Sequence, residues 1–170
     1  MKKSSRTNNA KQRRKEKQSY TFGKEDLKGN CTPDIERAER LREFLASLYE
    51  LNKRFPIVVE GRKDVIALRK LGFDGEIITV HAGKGLYEFC QNISDEFHKI
   101  ILLIDWDEKG EMLFKKLTDN LKGMWEEFSQ FRETIKILCQ KDIKDIEAIP
   151  GLLNKLAGIS VKINEPEDFQ

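Results

Sequence analysis

The segment 100–104, which reads Ile-Ile-Leu-Leu-Ile, constrains the fold more than any other feature of this chain. Five consecutive apolar residues leave no polar face on a strand, and such strands are typical of parallel sheets covered on both sides by helices. Shorter runs rich in β-branched residues stand at 56–59, 76–80 and 134–138, with segments of helical character between the runs. The sequence therefore predicts an α/β domain with a roughly four-stranded parallel sheet and helices on both faces.

The chain divides into three regions. Residues 1–30 are polar, basic and poor in aliphatic side chains, so we expect a disordered tail. From 31 to 54, apolar side chains recur at three- and four-residue spacing, which predicts an amphipathic N-terminal helix. The α/β domain spans 55–165. In open sheets of this type, ligands bind beyond the carboxyl ends of the strands.

Charge is distributed unevenly along the sequence. The whole chain carries +2, but residues 1–18 contain eight Lys or Arg and one acid, so this segment is +7 and the remainder is −5. A basic tail on a mildly acidic body is typical of a protein with a polyanionic partner. We favour nucleic acid, RNA or DNA, over the alternative of a tail that only improves solubility. The sequence predicts no particular protein partner.

Cysteine usage and hydropathy exclude several classes of protein. Cys31, Cys90 and Cys139 are widely spaced and odd in number, which argues against a disulfide framework and a thiolate zinc site. No apolar run approaches the ~18 residues that a membrane helix requires. We expect a cytoplasmic protein that has reduced cysteines and makes no contact with membranes.

Acidic residues follow two of the predicted strands. Glu60 comes directly after the first apolar run, and Asp105 and Asp107 come directly after the third. A carboxylate next to a buried strand is costly to desolvate unless a cation or hydrogen bonds compensate. Mg²⁺ accepts a few carboxylates together with water and phosphate oxygens. We predict a Mg²⁺ site on these three acids; the alternative for either group alone is that it caps the next helix.

The two motifs together resemble the Toprim signature. Residues 58–64 read Val-Val-Glu-Gly-x-x-Asp, and about 45 residues later 104–110 read Ile-Asp-x-Asp-x-x-Gly. The resemblance covers about 55–150 and is nearest to small stand-alone Toprim proteins, the 5S ribosomal RNA maturation nucleases and primase-type Toprim domains. It implies a three-layer, Rossmann-like fold. It also implies that Glu60 is a general acid/base or metal ligand, and that Asp105 and Asp107 bind Mg²⁺.

The sequence departs from two branches of this family. Type IA topoisomerases use a nucleophilic tyrosine in a further large domain, whereas this chain has only Tyr20, Tyr49 and Tyr87 and no room for such a domain. Bacterial-type primases carry a zinc module, and the cysteines needed for one are absent. The resemblance thus implies the fold more strongly than any single activity.

Secondary candidates surround the predicted metal site. Four residues are candidate phosphate contacts: Gly61, Arg62, Lys63 and Lys84. The glycine lets the backbone approach an anion at a helix N-terminus, although a simple tight turn accounts for it equally well. Two residues are candidate accessory acids: Glu111 and Asp142. Glu111 loosely resembles the trailing glutamate of the topoisomerase motif. Asp142 belongs to the segment Lys141-Asp142-x-x-Asp145, which weakly resembles a Lys-Asp pair near the primase metal site.

The leading hypothesis is a Mg²⁺-dependent nuclease or phosphoryl-transfer protein that acts on nucleic-acid phosphodiesters. Two ions would clamp the attacking and leaving oxygens, with Mn²⁺ as a substitute. RNA is slightly preferred, through the resemblance to the ribosomal RNA nucleases. One alternative is a non-catalytic module that binds or recruits nucleic acid, and another is an accessory subunit of a primase-like enzyme.

Overall fold

The computed structural model describes residues 34–80 and 85–157. The predicted tail 1–30, the candidate phosphate contact Lys84 and the end of the predicted domain at 158–165 lie outside the described residues. Along the described chain the elements are α1 (Asp34–Asn52), β1 (Ile57–Val59), α2 (Arg62–Lys70), β2 (Ile77–Thr79), α3 (Leu86–Glu96), β3 (Ile101–Leu102), α4 (Glu108–Asn120), a 3₁₀ turn (Glu126–Phe128), α5 (Ser129–Cys139) and α6 (Ile149–Ala157).

The described strands form one parallel sheet in the order β2-β1-β3. Ile57 at the start of β1 aligns with Ile77 of β2 on one side and with Ile101 of β3 on the other. The pairing extends past the short strands, since Val80 N–H donates to the Val59 carbonyl at 3.0 Å. This arrangement confirms the predicted α/β class and brings the carboxyl ends of all three strands to one edge.

Alternate side chains of β1 and of the segment 100–104 around β3 enter two separate cores. Ile57 and Val59 join a core beneath α1, α2, α5 and α6. Val58 and alternate residues of 100–104 join a second core beneath α3 and α4. The continuous apolar runs follow from this burial on both faces, because each strand must supply side chains to a core on either side. The result is the predicted three-layer architecture.

The predicted N-terminal helix is present as α1. Its apolar stripe packs into the first core through Leu41, Leu45 and Leu48, which are spaced by four and three residues, about one turn each. Ile35, which continues the same stripe in the sequence, is exposed instead. Helix α1 packs against α5 and α6, so it covers one face of the α/β domain.

The prediction of a fourth strand at 134–138 is wrong. This segment lies within α5, where Phe131, Ile135 and Leu138 are buried and Ile137 is exposed. Their spacing of four and three residues is helical, whereas a strand would have placed Ile135 and Ile137 on the same face. The described sheet consequently has three strands.

The last described helix, α6, follows an irregular segment. Residues 142–148 form turns, and α6 begins only at Ile149. Pro150 therefore lies in the first turn of α6 and does not interrupt a longer helix. Proline is tolerated in this position because the N–H groups of the first turn have no partner within the helix.

Candidate metal site

Glu60 and Asp105 follow adjacent parallel strands and so meet at one edge of the sheet. Glu60 comes directly after β1, and Asp105 comes three residues after β3. The backbone pairing between the two strands continues to Leu103, whose N–H donates to the Val58 carbonyl at 2.9 Å. The sheet therefore fixes the relative position of the two carboxylates, as the strand pattern predicts.

Asp105 carries the clearest electrostatic signal in the described part of the chain. Its pKa is raised from 3.8 to about 7, mainly by burial and also by the charges of Asp64, Glu60 and Asp145. A hydrogen bond from the backbone N–H of Ile146 to Asp105 Oδ1, at 2.9 Å, acts in the opposite direction. Asp105 thus stands among acids whose mutual repulsion is incompletely compensated.

Asp64 is a buried acid in the same place. Its Oδ2 accepts a hydrogen bond from the N–H of Gly61, the N-cap residue of α2, at 2.9 Å. Desolvation raises the pKa of Asp64, the Gly61 hydrogen bond lowers it, and the charges of Glu60, Glu147 and Asp145 raise it again. We refer to Glu60, Asp64, Asp105 and Asp145 as the acidic cluster.

Asp145 joins this cluster, whereas the sequence motif that contains it points to Asp142. The Toprim-like motifs end at 110, and Asp145 lies in an irregular turn 35 positions further along. The turn is tied to the end of β3 by two hydrogen bonds from Trp106: its backbone N–H donates to Lys144 O at 3.0 Å, and its indole N–H donates to Ile143 O at 2.9 Å. The indole is itself buried, so Trp106 belongs to the core.

Lys109 contacts the cluster from the first turn of α4. Its Nζ lies 3.2 Å from Glu60 Oε1, and the lysine side chain is 84% exposed. Because an exposed, flexible lysine is weakly held, an incoming cation or substrate can displace it. This ion pair partly neutralises the acidic cluster in the free protein.

Asp107 is directed mainly to the backbone. Its Oδ1 accepts a hydrogen bond from Gly110 N–H at 2.6 Å and so caps α4, and the residue is exposed. A Cβ at Gly110 would collide with the carbonyl of Asp105. The glycine of the second motif therefore allows α4 to start directly against the end of β3.

The three predicted ligands are not preassembled as a cage. Among the described residues, no group of three or more His, Cys, Asp or Glu side chains has the geometry of a formed metal site. Glu60 and Asp105 are brought together, whereas the cap on α4 holds one oxygen of Asp107. Asp107 therefore caps α4 through Oδ1, as the helix-capping alternative predicts. Its second carboxylate oxygen takes no part in the cap.

The buried side chain of Arg132 binds the backbone that follows β3. Arg132 of α5 is only 1% exposed; its Nε donates to Ile104 O at 2.7 Å and its Nη2 donates to Asp105 O at 2.8 Å. The guanidinium also lies 4.0 Å from the ring centroid of Phe114. The predicted strand at 134–138 does not suggest this role for Arg132, because the contacts require helix α5 to pack against β3.

Neither predicted accessory acid contacts the cluster. Glu111 lies 2.6 Å from Lys136 and 3.0 Å from Arg132. Burial raises the pKa of Glu111, but the hydrogen bonds from these two residues outweigh it, so the pKa is lowered. Asp142 instead pairs with Arg37 at 2.8 Å and with Lys155 at 3.3 Å. Basic side chains neutralise both acids, so we interpret the two acids as members of structural ion pairs.

Comparison with known proteins assigns the family. A family model for the Toprim domain matches residues 55–138. A UPF0292 protein of Methanosarcina acetivorans is 35% identical over 125 residues, which is 71% of this chain and 84% of that protein. A UPF0292 protein of Thermococcus sibiricus is 41% identical over 118 residues, which is 69% of this chain and 90% of that protein.

The chain belongs to the UPF0292 family and carries a Toprim domain. No solved structure matches this sequence. Toprim domains are associated with metal binding and with nucleic acid, and they typically bind Mg²⁺. No helix in the described ranges is both long and apolar enough to cross a membrane.

The acidic cluster of this Toprim domain has the chemistry of a Mg²⁺ site. Its donors are carboxylate oxygens, which Mg²⁺ prefers, and few enough of them to leave room for water and phosphate. The raised pKa of Asp105 reflects negative charge that a single exposed lysine does not compensate. A divalent cation would relieve both burial and repulsion, so the residues present fit the ion.

The described candidates for phosphate contact lie beside this cluster. Gly61 is the N-cap of α2, and nothing lies within 4 Å of the position of a Cβ there. Arg62 and Lys63, in the first turn of α2, are exposed. Lys63 Nζ lies 3.5 Å from Glu147 Oε2, a weak pairing that a phosphate could replace.

Proposed function

We propose that this protein is a cytoplasmic, Mg²⁺-dependent nuclease or phosphoryl-transfer enzyme that acts on nucleic-acid phosphodiesters, with RNA preferred. The observation that carries the proposal is the position of Asp105, partly buried among acids at the carboxyl edge of a parallel sheet with its pKa raised to about 7. Perturbed carboxylates of this kind concentrate at functional sites. The preference for RNA rests on the resemblance of the two motifs to those of ribosomal RNA maturation nucleases.

Glu60 and Asp105 would hold one Mg²⁺. The oxygen of Asp107 that does not cap α4 would serve a second ion. When bound, Mg²⁺ supplies Lewis acidity toward a phosphodiester and offsets charge on its attacking and leaving oxygens. Asp105 enters this role from a fixed position, because Ile146 N–H and the sheet hold it in place.

Glu60 also has the position of a proton-transfer group. It is half-buried, follows β1 directly, and contacts only the exposed side chain of Lys109 among the described cations. A carboxylate that is held by the sheet and approached by substrate from the open side can accept or deliver a proton at the reacting oxygen. Lys109, once displaced from Glu60, would be free to contact a phosphate.

The deciding experiment is metal-dependent cleavage of labelled structured RNA, single-stranded DNA and duplex DNA. Wild type should cleave in Mg²⁺ and stop in chelator, and Glu60→Gln and Asp105→Asn should each lose at least about 100-fold in rate. The matched controls are Glu39→Gln on α1 and Asp119→Asn on α4, both exposed and remote from the cluster. Equal cleavage by all five proteins would refute the proposed site.

A specific observation favours a second candidate, a non-catalytic module that recruits nucleic acid. Lys109 already contacts Glu60, and the described acids do not form a ready cage. In such a module the +7 segment 1–18 would provide most of the affinity. Deleting residues 1–18 would then abolish binding, while Glu60→Gln would leave binding unchanged and no metal would support cleavage.

A further inference from the structure

A groove lies between α2 and α6 and opens beside the acidic cluster. Its volume is about 430 Å³, and its walls include Lys63, Ile66 and Lys70 from α2 and Asp145 and Glu147 from the turn before α6. A space of this size lies at the lower end of the range for small-ligand sites. This volume is large enough for a nucleotide unit and too small to enclose a nucleic-acid duplex.

The groove is continuous with the candidate metal site. Asp145 lines the groove and also belongs to the acidic cluster, where its charge raises the pKa of Asp105. The neighbouring residue Ile146 donates its N–H to Asp105. At the other wall, Lys63 directly precedes Asp64 of the cluster. A strand with one phosphodiester at the cluster therefore has a direct path into the groove.

The wall formed by α2 has the chemistry to hold a phosphate-bearing strand. Lys63, Ile66 and Lys70 fall at spacings of three and four residues, so they share one face of the helix. The lysines are two turns apart, about 10 Å along the axis. Ile66 between them is 46% exposed and offers an apolar surface to a sugar or base. Along the groove, this face of α2 therefore presents a positive charge, an apolar surface and a second positive charge.

Each acid of the opposite wall is engaged by a neighbouring group. Asp145 Oδ1 accepts a hydrogen bond from Ala148 N–H at 2.9 Å, and Glu147 pairs with Lys63 at 3.5 Å. Lys70 is exposed and has no ion pair with any described residue. The groove therefore contains one lysine that is ready for a phosphate and a second that Glu147 partly occupies.

We infer that the α2–α6 groove binds a single-stranded segment of nucleic acid next to the phosphodiester held at the acidic cluster. This inference rests on the proposed function and deepens it by naming the strand state of the substrate. Lys70 and, after it leaves Glu147, Lys63 contact phosphates of the flanking nucleotides. Glu147 restrains this binding in the free protein.

Charge variants test the groove directly in the full-length protein. The probes are fluorescein-labelled oligouridylate and oligothymidylate, titrated in chelator over a range of salt concentrations. Lys70→Glu should weaken binding about 5- to 10-fold and lower the salt slope by about one. Glu147→Gln should strengthen binding about twofold. Lys115→Glu, which makes the same charge change on α4 across the sheet, should stay within about twofold of wild type.

Cross-linking provides a second readout that is insensitive to the tail. A photoreactive phenylalanine analogue replaces Ile66 in one protein and Ile137 in another; the two isoleucines are 46% and 44% exposed, but only Ile66 lines the groove. If the strand lies in the groove, cross-linking to oligouridylate should be strong at position 66 and at background level at position 137.

The outcomes separate the groove from the proposed activity. Binding that depends on Lys70 and cross-linking at 66, without any metal-dependent cleavage, would support the groove and reject the nuclease. Cleavage by a Lys70→Glu variant that binds like Lys115→Glu, with no cross-linking at 66, would overturn the groove and leave the nuclease standing. Failure of the wild-type protein to bind either oligonucleotide would overturn the groove, and failure to cleave any of the three nucleic acids in Mg²⁺ would overturn the nuclease as well.

Discussion

Asp105 is held in place by hydrogen bonds but lies in an environment that disfavours its ionised form. Its carboxylate is held by Ile146 N–H, and its carbonyl is held by Arg132 Nη2. Burial and three neighbouring acids nevertheless destabilise its ionised form. A cation bound beside Asp105 would offset this cost, so the proposed Mg²⁺ site follows from the position of this residue.

This cost of ionisation predicts how the stability of the metal-free protein depends on pH. The pKa of Asp105 rises from 3.8 in an unfolded chain to about 7, so between these values the folded state binds more protons. The free energy of unfolding should therefore fall as pH rises from 4 to 7, by at most about 3–4 kcal/mol from this group. Denaturation in chelator measures it, and Asp105→Asn should flatten the slope relative to Asp119→Asn.

Arg132 predicts a large effect on stability from a residue outside both motifs. Arg132→Met leaves the carbonyls of Ile104 and Asp105 without their donor and removes one partner of Glu111. Breaking a buried charged network of this kind costs about 3–5 kcal/mol. Arg40→Met, at an exposed position of α1, should change stability by less than about 0.5 kcal/mol. Similar unfolding midpoints for the two variants in urea would contradict the assigned role.

At the level of elements, the close contact between α4 and the end of β3 depends on Gly110. Gly110→Ala places a methyl group against the Asp105 carbonyl, so α4 must shift and the variant should lose about 1–3 kcal/mol. Gly151→Ala in α6 has open space around the new methyl group and should gain about 0.5–1 kcal/mol from helix propensity. Thermal unfolding checks both signs; a Gly110→Ala variant as stable as wild type would contradict the close contact.

Element types were predictable where burial and periodicity agree. The run 100–104 is apolar throughout because two cores surround it, and such a run is typical of a strand buried on both faces. The segment 134–138 resembles a strand because its five residues contain Ile135 and Ile137 two positions apart. Only the wider spacing from Phe131 to Leu138 distinguishes a helix lying on one core.

At the scale of the whole molecule, the site is assembled from three distant parts of the chain. Glu60 follows β1, Asp105 follows β3, and Asp145 comes from the turn before α6. The first two could be predicted, because strand order places them at one edge. Arg132 could not, since its position depends on how α5 packs against β3. The sequence points to the segment of Asp145 only through Asp142, because the packing of the turn decides which of its acids reaches the cluster.

The most direct test of a metal site at the acidic cluster is calorimetric titration of the full-length protein with Mg²⁺. Wild type should bind the ion with an affinity that rises from pH 6 to pH 8 as Asp105 ionises. Glu60→Gln and Asp105→Asn should abolish the binding, and Asp119→Asn should retain it. Binding that is equal in all four proteins, or absent from wild type at millimolar Mg²⁺, would contradict this assignment.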